Sequence, residues 1–181
     1  KSVAWAITPA TVAVPALSNK SKTYNGSAQS PTVSPYDSNL VEVTGTTTAT
    51  NAGSYTVTFH LLNPNVTWAD ETTADKTDTW EIAKAAGSLT LSKNSVSLDT
   101  TTTSDTVTVT RVGDGAITAV SSDTSYATVS VSGDTVTITG VATGSATVTI
   151  SVGEGTNYFA PTSQTVSVSV QFIPSLNDAT W

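Results

Sequence analysis

Valine and isoleucine in this chain alternate with threonine and serine over whole stretches. That period of two restricts the fold more than any other feature. Thr106-Val-Thr-Val-Thr110, Thr135-Val-Thr-Ile-Thr139, Val148-Thr-Ile-Ser-Val152 and Thr165-Val-Ser-Val-Ser-Val170 each place their apolar side chains on one side only. Alternate residues of an extended strand point to opposite faces, so each stretch predicts a strand with one buried and one solvated face. Ala, Leu, Lys and Glu never cluster with period 3.6, so no helix is expected. Threonine makes up about a fifth of the chain, in keeping with the strand preference of β-branched residues.

Turn signals divide the chain into two units. In the first, Thr11-Val-Ala-Val-Pro-Ala-Leu17 reads as an edge strand that tolerates Pro15. Asn25-Gly26 and Asn51-Ala-Gly53 read as turns. Leu40-Val-Glu-Val-Thr44 is a short strand, and Tyr55-Thr-Val-Thr-Phe-His-Leu61 puts Tyr55, Val57, Phe59 and Leu61 on one face. Asn63-Pro-Asn65 turns the chain into Val66-Thr-Trp68, and Thr79-Trp-Glu-Ile82 closes the unit. In the second, Ser132-Gly-Asp-Thr135 is a hairpin signal with Gly first of two central residues. Such strand spacing predicts an all-β fold, two tandem β-sandwich domains arranged as an elongated pair. A β-grasp-like arrangement is the alternative for the first unit.

Lys1-Ser-Val-Ala-Trp5-Ala-Ile7 recurs as Lys76-Thr-Asp-Thr-Trp80-Glu-Ile82, an offset of 75 residues. A repeat of that period indicates a modular array. Residues 1–8 are therefore expected to be the closing strand of a preceding repeat, with Trp5 packing outside the complete first unit. Residues 9–85 form the first unit and residues 86–171 the second. Residues 172–181, with Phe172 and Trp181, read as the start of a following unit or a tail.

Net charge is −7, with −2 on residues 1–85 (five lysines against seven acids) and −5 on the remainder. Nucleic-acid binding needs a basic surface to neutralise phosphate, and so does an anionic membrane, so neither is an expected partner. The chain has no cysteine, which removes disulfides and thiolate metal sites.

Val120-Ser-Ser-Asp-Thr-Ser-Tyr-Ala-Thr-Val129, followed by Val136-Thr-Ile-Thr-Gly-Val-Ala-Thr-Gly-Ser-Ala-Thr-Val-Thr-Ile150, resembles bacterial immunoglobulin-like domains of group 2 across most of residues 88–170. Gly140 and Gly144 suit tight turns in that pattern, and Ala142 and Ala146 suit a crowded corner. Lys22-Thr-Tyr-Asn-Gly-Ser-Ala-Gln-Ser-Pro-Thr-Val33 and Gly45-Thr-Thr-Thr-Ala-Thr-Asn-Ala-Gly-Ser-Tyr-Thr-Val-Thr-Phe59 resemble another bacterial Ig-like repeat of surface and phage tail-associated proteins. The resemblance implies immunoglobulin-like sandwiches without enzymatic activity, catalytic residues or cofactors. It implies an extracellular place, on a bacterial cell surface or a phage virion, with neighbouring domains of the same chain as partners.

Candidate chemistry is sparse. His60 is the one histidine and falls opposite Phe59, on the solvent face of its strand. Asp70, Glu71, Asp75 and Asp78 cluster between Trp68 and Trp80, where oxygen ligands suit calcium, but Lys76 sits among them and no regular calcium loop is present. They read as a solvated acidic loop. Asp114 and Glu154, each between glycines, read as turns. Asn25-Gly-Ser and Asn65-Val-Thr fit the N-glycosylation sequon, which matters only in a host with that machinery. A Lys–Asn isopeptide crosslink, found in some surface Ig-like domains, has no marked pair here.

Trp80 recurs as Trp5 and reads as core. Trp68 follows a turn and precedes the acidic loop. It is the one candidate ligand contact, because an indole face beside carboxylates suits stacking on a sugar; the other reading is a cap on the sandwich end. The expected function is that of structural or adhesive modules, spacers in a long surface protein or tail appendage. The alternatives are a carbohydrate- or host-receptor-binding module working through Trp68, and an accessory region of a surface hydrolase.

Overall fold

The computed structural model describes residues 8–172. The chain divides into two compact units, Lys1–Lys84 and Ala85–Trp181. Among the described residues every regular element is a strand. The β-grasp alternative needs a helix across its sheet, and the described part of the first unit has none. The expectation that Trp5 packs outside the first unit lies outside the described residues.

The first unit contains β1 (Ala10–Val12), β2 (Leu17–Ser18), β3 (Ser21–Thr23), β4 (Thr32–Val33), β5 (Val41–Gly45), β6 (Gly53–Leu61), β7 (Val66–Trp68) and β8 (Lys76–Ala83). Four of these form one sheet in the order β3-β8-β6-β5. The others form two ribbons, β1 parallel to β7 and β2 antiparallel to β4. The single strand expected over residues 11–17 is therefore two strands. Proline donates no hydrogen bond to a ladder, and Pro15 sits buried in the break between them. The alternation of β6 is realised: Val57, Phe59 and Leu61 are buried and Tyr55 packs against them. Leu17, Val41, Val66, Trp68, Trp80 and Ile82 complete one core that joins the sheet to both ribbons.

The second unit contains β9 (Ser88–Leu91), β10 (Ser95–Asp99), β11 (Ser104–Val112), β12 (Ile117–Ser121), β13 (Ala127–Ser132), β14 (Thr135–Gly140), β15 (Gly144–Val152) and β16 (Gln164–Gln171). Its sheets are β13-β14-β11-β9 and β10-β16-β15-β12. That partition is the immunoglobulin constant-type order, with the first strand split so that β9 joins one sheet and β10 the other. Val107, Val109, Val136 and Ile138 face Val148, Ile150, Val152, Val166, Val168 and Val170 across one core. Burying each such side chain contributes about 1.5–3 kcal/mol. The β13–β14 hairpin closes through Gly133 and Asp134, with Gly133 at φ +56° in the first central place.

The two four-stranded sheets β3-β8-β6-β5 and β10-β16-β15-β12 share one layout. In each, the first strand runs parallel to the last strand of its unit, and the next two pairings are antiparallel. A lysine marks the crossing into this sheet both times. Lys93 lies between Ser92, whose N–H bonds to β11, and Asn94, whose carbonyl accepts from β16. Lys20 follows Asn19, which bends the chain at φ +53°, and its carbonyl accepts from Glu81 of β8.

Gly144 is required by close approach. The ring of Tyr126 lies where a Cβ on Gly144 would project. A side chain there would displace the ring.

Candidate functional site

Trp68 ends β7, in register with Val12 of β1. Its side chain is 0% exposed and belongs to the first core. The indole Nε1–H donates to Ala74 O at 2.8 Å. The loop that follows folds back over it: Trp68 N–H donates to Thr72 O at 2.8 Å, Glu71 N–H to Trp68 O at 2.8 Å, and Ala69 N–H to Val12 O at 2.9 Å. Stacking on a sugar needs an open ring face, and this ring has none. The expected ligand contact is corrected to a buried cap. The signal was the alternation of Val66 and Trp68, which puts both on the inward face. Trp80 is core as well, 2% exposed, with Nε1 donating to Thr46 O at 2.7 Å and its ring 4.9 Å from that of Tyr55.

The nearby acids do not converge. Asp70 accepts from Lys76 Nζ at 2.7 Å and from Thr72 Oγ1 at 2.6 Å and Thr72 N at 3.1 Å. Those donors, Lys76 first, hold its carboxyl down at about 2. Asp75 Oδ1 lies 2.7 Å from His60 Nδ1. Asp78 turns to Lys20, 2.6 Å away, and its carboxyl is lowered chiefly by that lysine. Each of these three aspartates thus serves its own cation or imidazole. Among the described residues no three His, Asp or Glu side chains are placed to hold a metal ion together.

His60 stands on the open face of its sheet, half-exposed. Its partner Asp75 was not apparent from the sequence. The β6–β8 register supplies it, since Phe59 pairs with Lys76 and the next position along brings His60 to Asp75. A hydrolytic triad needs its base in a cleft beside a nucleophile, whereas this imidazole is open to solvent.

Lys20–Asp78 and Lys93–Asp105 are the lysine–carboxylate pairs that tie the sheet crossings. Amide formation needs a neutral amine attacking a protonated carboxyl. Both aspartates are instead held ionised, below the ordinary carboxylate range, by the lysines that face them. The geometry is that of ion pairs.

At one end of the second unit, two glycine-rich turns meet. Asp114 Oδ2 accepts from Asn157 N at 2.9 Å. Arg111 donates to Gly115 O and lies 3.3 Å from Asp134. Ala85 adds a parallel rung to the same loop, donating to Asn157 O and accepting from Phe159 N, both at 2.9 Å. Asp114 is therefore a brace for the 153–159 loop. Phe159 and Val112 leave about half of their surface open there.

No curated protein matched the chain. Several solved structures are similar to it. One is the S-layer protein rSbsC, 26% identical over 66% of this chain, with a TM-score of 0.41; the present chain spans 16% of that one. Domains 4 and 5 of the S-layer protein SbsC are 19% identical, covering 82% of this chain and 91% of that one, with a TM-score of 0.43. A SusE-like surface-located polysaccharide-binding protein of Bacteroides thetaiotaomicron is 12% identical, covering 90% of this chain and 35% of that one, with a TM-score of 0.31. Residues 85–162, from the Ala85 rung into the loop before β16, match the family model of the bacterial Ig-like domain (group 2).

Proposed function

We propose that these two units are non-enzymatic modules of a bacterial surface protein or a phage tail appendage, acting as spacers that carry other domains outward. The observation that carries this reading is the match of residues 85–162 to the group 2 bacterial Ig-like domain. Supporting it, the chemically versatile side chains are spent on architecture. Trp68 fills the first core, Asp75 pairs with His60, Asp78 and Asp105 pair with the crossing lysines, and Asp114 braces a loop. The place of action is extracellular, and the partners are the neighbouring domains of the same chain rather than nucleic acid or membrane.

The test is binding of the whole chain to a glycan array and to intact bacterial cells. A spacer gives no saturable signal on either. Saturable binding to one glycan class, or to cells in a way that free glycan competes away, overturns the reading in favour of a recognition module.

A further inference from the structure

The turn after β3 places Asn25 directly before Gly26, an order of residues suited to an intramolecular reaction. Asn25, Gly26 and Ser27 are all exposed. Gly26 holds φ at +80°, and a Cβ built there would meet nothing within 4 Å, so no neighbouring side chain crowds the turn at that point. Ser27 N–H donates to Asn25 Oδ1 at 3.0 Å. That donor sits on the carboxamide oxygen, where negative charge develops when Cγ is attacked.

We propose that Asn25–Gly26 is a self-modification site, at which the folded first unit converts a neutral amide into a carboxylate. The Gly26 backbone nitrogen gives up its proton and attacks Asn25 Cγ. The new N–Cγ bond closes a succinimide, and the Cγ–Nδ2 bond breaks as Nδ2 takes up a proton and leaves as ammonia. Water then opens the ring. Attack at the side-chain carbonyl yields aspartate, and attack at the main-chain carbonyl yields isoaspartate with one extra methylene in the backbone. One water enters and one ammonia leaves, with no change of oxidation state.

Position selects this asparagine. Every other asparagine is followed by a residue with a Cβ, which crowds the attacking nitrogen, and Asn63 precedes Pro64, which has no N–H to lose. The fold also limits the damage. Tyr24 N–H is tied to Ala83 O at 2.9 Å, and Gln29 exchanges two backbone bonds with Ala49 at 2.8 and 3.0 Å. The added methylene falls between these anchors, so the product keeps its sheet and gains one negative charge on an exposed turn.

The experiment ages the whole chain in warm, mildly alkaline buffer and follows intact mass, peptide maps and isoaspartate-specific methylation. Conversion at Asn25 is expected to lead every other asparagine by about tenfold or more, the equivalent of about 1.4 kcal/mol of barrier, with near-ultraviolet circular dichroism unchanged. Gly26→Ala slows it by a similar factor. Ser27→Pro, which lacks the donating N–H, slows it less but measurably. Conversion at Asn25 no faster than at Asn65 or Asn157, or seen only after unfolding in denaturant, overturns the proposal. An unchanged rate in Ser27→Pro overturns the role given to that donor.

Discussion

Lys93 Nζ lies 2.9 and 2.7 Å from the two carboxylate oxygens of Asp105, so one ammonium holds both. The pair stands where the chain leaves the sheet of β11 for the sheet of β16. Both side chains keep about a third of their surface in water, at 38% and 33%. Partial screening limits such a pair to about 0.5–1 kcal/mol. Lys93→Met should lower the unfolding free energy by about that much, measured by urea denaturation. The double variant Lys93→Met, Asp105→Asn should recover part of the loss, because no half-buried carboxylate is then left without its cation.

Acid should weaken the fold through the aspartates. Asp70, Asp78, Asp99, Asp105 and Asp123 all have folded carboxyls below the 3.8 of a free one. A depressed folded value stabilises the native state above the unfolded value, and that stability is lost as pH falls through the folded one. Through these aspartates the thermal midpoint should therefore begin to fall as pH approaches 3.8 from above and go on falling to about 2, where Asp70 takes its proton. Asp70→Asn should flatten the lowest part of that decline.

Removing the indole of Trp68 should cost about 3–5 kcal/mol, the range for a large aromatic taken from a packed core. A whole domain is stable by about 5–15 kcal/mol, so Trp68→Ala brings the first unit to the edge of unfolding. Trp68→Phe keeps part of the ring volume but loses the bond to Ala74, and should cost less. Calorimetry of the three proteins checks the order.

How far the sequence could be read turns on the range of each interaction. The stripes in β11, β14, β15 and β16 were legible because alternation is a property of neighbours along the chain. Trp68 stayed open between a cap and a ligand contact because the turn before it and the acids after it are local, whereas what covers it includes β1, in parallel register more than fifty residues earlier. The same holds for His60 with Asp75 and for Lys93 with Asp105, whose partners are set by strand register and a sheet crossing. Pro15 was legible as a misfit in a ladder. That it divides one expected strand into β1 and β2 depends on β7 and β4, which supply the two separate partners.

Gly144→Ala should destabilise the second unit by about 1–3 kcal/mol, the cost of forcing a methyl group into occupied space. The Tyr126 ring is the atom group it meets. Tyr126→Ala in the same chain should recover part of the loss, since the ring that blocks the methyl group is then gone. Denaturant midpoints of the two single variants and the double variant measure the coupling.

The parallel pairings of β3 with β8 and of β10 with β16 decide how each unit answers a pull on its ends. Strand β10 would be drawn toward its own start and β16 toward its own end. Because the two run side by side in the same direction, they slide along each other, and the rungs from Ser95–Ser167 to Asp99–Gln171 take the load together. An antiparallel pair held at one end would open one rung at a time, like a zip. The direction in which two short strands run thus turns a modest number of hydrogen bonds into resistance to shear.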